Sequence, residues 1–225
     1  MAERSVRIGI VGTGGIAQAH IRQLGEIPAA EIVAVCDVDL DRVRAVGEPL
    51  GAAIYTDGAQ LITAEKPDAL YVCVPPHAHG DLEIRAARAG IHLFVEKPVS
   101  LFMEQALEVC RVVEETGVMT QVGYTLRYLP QFLRLRELFM GEEIGTAHVF
   151  RWNGLPASAW WRRYDQSGGQ LVEMTTHQVD MLRWIMGEVT AASASYSFNR
   201  LHRDEAEVTV PDSQAVLLQF ESGAS

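Results

Sequence analysis

The chain has 225 residues, 48% of them hydrophobic and 21% charged, the balance of a globular protein with room for two cores. Its formal net charge is −10, with no basic run beyond Arg162-Arg163, which argues against a nucleic-acid partner or an anionic membrane surface. No apolar stretch has the length of a signal peptide or a membrane span, so a cytoplasmic protein is expected.

The first expected strand, residues 5–11, leads into Gly12-Thr13-Gly14-Gly15-Ile16-Ala17 and a helix over about 15–25. This is G-x-G-x-x-A between a strand and a helix, the setting that gives the motif a mechanism. Gly12 permits the tight turn, Gly14 lets the backbone approach a pyrophosphate, and Ala17 allows helix to pack on strand. A second strand, 31–36, ends at Asp37, where a carboxylate accepts hydrogen bonds from adenosine ribose hydroxyls and repels a 2′-phosphate. NAD is therefore expected in preference to NADP, although Arg42, a turn further on, is placed to meet a 2′-phosphate. Asp37 also reads as a cap for the helix that begins near Asp39.

Further strands fit near 53–55, 69–74, 91–95 and 118–122, and helices near 39–50, 57–64, 79–89 and 100–116, with Gly90 and Gly117 closing helices. Alternation of this kind predicts a doubly wound parallel sheet. The fifth strand ends abruptly in Glu96-Lys97-Pro98, and Pro98 stops the ladder. Ligands bind at the carboxyl ends of strands in such sheets, so Lys97 is delivered to the place of chemistry, unless it is an ordinary surface lysine at a strand exit. Cys36, Cys73 and Cys110 fall in apolar patterns without CxxC or metal spacing and read as buried free thiols in a reducing compartment.

After Tyr124 the pattern changes to a helix at 129–140, a strand at 146–152, a Trp/Arg-rich loop at 152–165, a helix at 171–186 and alternating runs at 189–198 and 213–220. Antiparallel strands on helices suggest an α+β second domain, with boundaries at 1–124 and 125–225. Residues 221–225 read as a hairpin turn whose return strand is missing, leaving the sheet incomplete. Glu173, His177 and Asp180 follow at i, i+4 and i+7 and project from one face of the expected helix. A solvated face, an acid–base array and metal ligands are the alternatives, and metal is disfavoured by the absence of HExxH or further ligand spacing.

Gly12-Thr-Gly-Gly-Ile-Ala17, Cys36-Asp37, Pro75-Pro76-His77-Ala-His79, Glu96-Lys97-Pro98, Gly168-Gly169 and His177-x-x-Asp180 run in order across almost the whole chain. In these residues the chain resembles the glucose–fructose oxidoreductase/inositol dehydrogenase (Gfo/Idh/MocA) family of NAD(P)-dependent oxidoreductases. The resemblance implies a Rossmann domain, then an open, mostly antiparallel sheet, with substrate at the nicotinamide between them and homo-oligomers formed through the second-domain sheet. It places Gly12, Thr13, Gly14, Gly15, Ile16, Ala17, Asp37, Pro75, His77, Glu96 and Lys97 at the cofactor. Family members are substantially longer, so the chain is expected to be C-terminally truncated.

The resemblance also makes Lys97 and His177 a catalytic pair acting on a sugar, polyol or inositol-like secondary alcohol. A neutral imidazole, with an ordinary pKa of ~6.5, suits the proton acceptor, and the ammonium suits stabilisation of alkoxide charge. Glu173, where many members carry Asp, is expected to orient or relay for His177. Asp180, Arg127, Trp160 and Arg162 are candidates for substrate binding; Asp180 reads equally as an ion-pair partner of Arg183, and the tryptophans as core. An NAD-using glycosidase or eliminase of the same fold and a non-catalytic NAD-binding regulator are the alternative functions.

Overall fold

Short runs that are mostly apolar on both faces need cover on both sides. The first six strands of the computed structural model, which describes residues 5–199, 205 and 207–225, receive that cover. Strands β1 (Val6–Val11), β2 (Ala30–Cys36), β3 (Ala53–Tyr55), β4 (Ala69–Val72), β5 (His92–Val95) and β6 (Thr120–Val122) form one parallel sheet in the order β3-β2-β1-β4-β5-β6. Between them run helices α1 (Gly15–Leu24), α2 (Leu40–Leu50), α3 (Gly58–Glu65), α4 (Asp81–Arg88) and α5 (Met103–Thr116). On one face Ile8, Ile10 and Val35 meet Ala17 and Leu24 of α1 and Val43 of α2. On the other, Val11, Leu70, Val72, Leu93 and Val95 meet Leu61, Ala86, Ala87 and Val112 of α3, α4 and α5. This is the doubly wound sheet the alternation predicts, and Gly90 and Gly117 follow their helices at φ +75° and +66°.

The molecule divides into two units, Met1–Gly123 and Tyr124–Ser225. The second holds α6 (Pro130–Phe139), a 3₁₀ turn at Ala159–Arg162, α7 (Tyr164–Ser167), α8 (Gly169–Glu173) and α9 (Thr176–Met186). Its strands β7 (Val189–Ser197) and β8 (Ser213–Phe220) pair antiparallel, and Leu182, Ile185 and Met186 of α9 pack with Val189, Leu218 and Phe220. Among the described residues no helix is long and apolar enough to cross a membrane.

Three expectations are corrected. Residues 146–152 form no strand; a ladder needs a partner, and among the described residues backbone pairing here is confined to Gly145 and Ala147, the Ala147 N–H donating to the Ser225 carbonyl and the Ser225 N–H to the Gly145 carbonyl. The expected single helix over 171–186 is broken into α8 and α9. At the break the Thr175 N–H reaches back to the Gln170 carbonyl and the His177 N–H turns to Met174, so the i→i−4 ladder is interrupted. Cys110 is exposed on α5, while Cys36 and Cys73 are buried.

Burial, with the Asp37 charge next, pushes the Cys36 thiol up to about 12. Burial and then the Glu96 charge raise Cys73 as well. A thiol reagent applied to the native chain at pH 8 is expected to modify Cys110 rapidly and the other two only on unfolding. Cys110→Ser should remove the fast phase in a colorimetric thiol titration, and a fast phase that persists would contradict this burial.

Candidate functional site

The order of the parallel sheet reverses between β1 and β4, and the carboxyl ends of those strands frame a crevice of the kind that binds ligands in such sheets. Gly12 sits there at φ +86°, and a Cβ on it would lie 2.2 Å from the Cys73 carbonyl oxygen, so only glycine lets the β1–α1 turn approach β4 so closely. Gly14 caps α1. Neither Gly14 nor Gly15 has an atom within 4 Å where a side chain would project. That open backbone at the start of a ten-residue helix fits a pyrophosphate, and any side chain would fill it. Ala17 is fully buried against the sheet as expected, whereas Ile16 is exposed beside the turn.

Thr13 is turned inward. Its N–H and hydroxyl both donate to Asp37 Oδ2 at 2.8 Å, and Asp37 Oδ1 accepts the Asp39 N–H at 3.0 Å. Arg42, the group placed to meet a 2′-phosphate, lies 3.3 Å from Asp37 and 3.0 Å from Asp39. The cap of α2 is Asp39, which accepts the Arg42 N–H, and not Asp37. Burial alone would raise the Asp37 pKa. The Asp39 and Thr13 N–H groups, the Thr13 hydroxyl and the Arg42 guanidinium outweigh it and hold the carboxyl below its ordinary range, so Asp37 is charged at neutral pH.

The β4–α4 connection carries Pro75, Pro76 and His77, with His77 exposed and Pro75 half-buried. Beneath it His79 and Glu83 are fully buried, Nδ1 to Oε1 at 2.5 Å. His79 Nε2 donates to the Val74 carbonyl at 3.1 Å, and Glu83 Oε2 accepts the Gly80 N–H at 2.6 Å. This pair ties both ends of the loop to the start of α4.

At the exit of β5, Lys97 is half-buried, and its peptide bond to Pro98 is cis. Glu96 is 5% exposed. One of its carboxylate oxygens faces His20 Nε2 of α1 at 2.8 Å, and the other accepts the Lys97 N–H at 3.1 Å. Glu96, expected at the cofactor, is thus committed to contacts within the protein.

The second unit holds the remaining candidates. His177 lies in the first turn of α9, its ring 6.2 Å from that of Tyr124 and edge-on to it, and Glu173 ends α8, buried. Glu173 and His177 therefore do not sit on one continuous helix. Asp180 is buried and accepts a bidentate pair from Arg127, Nε and Nη2 each at 2.7 Å, while Arg183 pairs with Glu188. The hydrogen bond to Asp180 raises the Arg127 pKa further. Two expected substrate ligands are thus joined to each other, with the Arg127 guanidinium also 5.6 Å above the Trp184 ring.

Trp160 stacks on Trp161 at 5.9 Å, and Arg162 Nε donates to the Pro156 carbonyl at 2.7 Å, so these side chains shape their own loop. A cavity of about 290 Å³ is lined by Pro156, Trp161 and Met174, and one of about 510 Å³ lies between residues 146–153 and β8. Neither is lined by His177 or Glu173; the larger marks the edge where 146–152 fails to pair. Among the described residues no cluster of His, Cys, Asp or Glu is arranged to hold a metal.

The sequence reading passed over His20. The signal was available: a polar residue on the face of α1 that otherwise carries Ala17, Ile21 and Leu24 into the core. Glu83, on the stripe with Ala86 and Ala87, carried the same signal.

The fold and cradle define a dinucleotide-binding protein with an appended α+β unit. Residues 6–124 match the family model described as "Oxidoreductase family, NAD-binding Rossmann fold", and residues 132–225 match the "GFO/IDH/MocA C-terminal domain". The chain belongs to the GFO/IDH/MocA oxidoreductase family. It is 34% identical to myo-inositol 2-dehydrogenase of Thermotoga maritima over 97% of its own length and 66% of that protein's. With inositol 2-dehydrogenase of Rhizobium meliloti the figures are 30%, 97% and 66%. The solved WlbA dehydrogenase from Bordetella pertussis, in complex with NADH and UDP-GlcNAcA, superposes with a TM-score of 0.88 at 25% identity, covering 98% of this chain and 69% of that one. The chain spans about two thirds or less of the length of most of these curated relatives, 65–66% of the two inositol dehydrogenases and of an uncharacterized oxidoreductase of Bacillus subtilis.

The depressed Asp37 pKa has a consequence for stability. A carboxyl whose folded pKa lies below its unfolded value stabilises the fold above the unfolded value, near 3.8, and that contribution disappears as the pH falls through the folded pKa. Asp37→Asn is expected to lower the urea midpoint at pH 7 and to flatten its decline below pH ~4. An unchanged acid slope would contradict the assignment.

Proposed function

We propose that this protein is an NAD-dependent dehydrogenase that transfers a hydride between nicotinamide and a secondary alcohol of a sugar, polyol or inositol. The observation that carries the reading is Lys97 at the ligand edge of an NAD-binding sheet, in a chain whose relatives include inositol dehydrogenases. Gly14, Gly15 and the first turn of α1 hold the pyrophosphate, and Asp37 takes the adenosine ribose. A bound nicotinamide would supply the hydride acceptor or donor. Lys97 donates a hydrogen bond to the reacting oxygen and stabilises the negative charge that grows on it. His177 accepts the hydroxyl proton in the oxidising direction and returns it in the other. Glu173, at the end of α8, acts behind His177; Asp180 acts through Arg127, fixing its fork.

The charged Asp37 carboxylate supports NAD over NADP, since a 2′-phosphate would face it and Arg42 is already paired. One face of the β7–β8 sheet exposes Ala191, Ser193, Ser195, Ala215 and Leu217, a largely uncharged surface suited to a second copy of the chain. Buried free thiols suit a cytoplasmic location.

Incubation with NAD and a panel of polyols, inositols and sugars, followed at the NADH absorbance band, tests the reaction. Lys97→Ala and His177→Ala are each expected to lower kcat/KM by about 10²–10⁴-fold. Variants as fast as the parent overturn the mechanism, and release of an aglycone without net NADH identifies non-redox chemistry. In calorimetric titrations NAD should bind at least about tenfold more tightly than NADP, and Asp37→Ser should narrow the gap. Equal affinities in the parent would refute the role given to Asp37.

A further inference from the structure

Glu96 ends the strand that delivers Lys97, yet its carboxylate points into the protein. Strand alternation places Phe94 and Glu96 on the face of the sheet covered by α1, while Leu93 and Val95 face the opposite core. The carboxylate is enclosed there. His20 Nε2 holds one oxygen at 2.8 Å, and the Lys97 N–H holds the other at 3.1 Å. The His20 ring is fixed edge-on against Phe94 and Tyr71, at 4.8 and 5.6 Å, and those two rings stack on each other at 4.6 Å. Gly123 closes the pocket from the end of β6, where a Cβ would come within 2.9–3.0 Å of the carboxylate.

A buried carboxylate needs donors, and this one has a side chain from the helix that starts the nucleotide cradle and the backbone N–H of Lys97 itself. We propose that His20 and Glu96 form a positioning pair: the imidazole orients the carboxylate, and the carboxylate fixes the Lys97 backbone where the ammonium must be presented. Neither residue touches the reacting atoms. The pair links α1, which carries Gly15 in its first turn and His20 one turn later, to the lysine at the end of β5. The inference rests on the reading of Lys97 as the oxyanion donor and adds the residue that places it.

The test separates hydrogen bonding from packing in the full chain. His20→Leu keeps apolar bulk against Phe94 and Tyr71 but donates nothing, whereas the His20→Gln amide can still reach Glu96. Gly123→Ala crowds the carboxylate without altering His20. Amide exchange at Lys97, read by NMR, is expected to accelerate about tenfold in His20→Leu and Gly123→Ala and to stay near the parent value in His20→Gln. In parallel, kcat should fall about 10–100-fold in the first two, with NAD affinity within about twofold of the parent, and recover in His20→Gln. Retained protection and kcat in His20→Leu would overturn the proposal, as would equal impairment of the Leu and Gln variants. Should no polyol be oxidised by the parent while the exchange pattern holds, it is the dehydrogenase reading that fails and the positioning of Lys97 that stands.

Discussion

A carboxylate removed from water must be surrounded by donors, and in this protein that requirement shapes both units. Asp37, Glu83, Glu96 and Asp180 are all buried. Three draw on distant segments, Thr13 for Asp37, His20 for Glu96 and Arg127 for Asp180, while Glu83 is held by His79 and the Gly80 N–H at the start of its own helix. Asp37, Glu83 and Glu96 lie at or beside the carboxyl ends of β2, β4 and β5, the edge where a doubly wound sheet binds ligands. The loops along that edge are therefore held by charge-assisted hydrogen bonds, which fix direction as well as distance.

Helix α1 shows how closely binding and support are interwoven. Its N-terminal glycines are bare toward solvent, and its inner stripe of Ala17, Ile21 and Leu24 joins the core. His20 interrupts that stripe to reach Glu96. A helix serving only as packing would carry an apolar residue there, because an imidazole on a buried face costs desolvation unless a partner waits for it. The partner does wait, and it belongs to the residue beside Lys97.

The second unit follows the same logic with a different outcome for the candidate ligands. Arg127 and Asp180 satisfy each other in a bidentate pair and become part of the frame. Arg162 satisfies a carbonyl of its own loop, and Trp160 finds Trp161. Glu173 ends α8 and His177 lies past the break at Met174 and Thr175, which gives the imidazole a place in a first helical turn instead of a helix interior.

The amino-acid sequence by itself determined the doubly wound sheet, the glycine turn, the acid at the end of β2 and the lysine at the end of β5. These follow from local rules, namely apolar runs of strand length, glycines where φ is positive or the backbone must approach a neighbour, and a proline after the strand. It also placed β8 at 213–220. What only the tertiary structure decided are the partners of the charged groups. Spacing alone would put Glu173, His177 and Asp180 on one stripe, but the helix is broken between Glu173 and His177, and Asp180 pairs with Arg127, 53 residues away. Residues 146–152 have the alternation of a strand, yet pairing is a property of two segments, and among the described residues it reaches no further than Gly145 and Ala147. Glu96 shows the division most plainly: its position after β5 is written in the pattern, but its partner His20 lies 76 residues earlier. Hydrogen bonds at that separation form only once the sheet has brought α1 over β5.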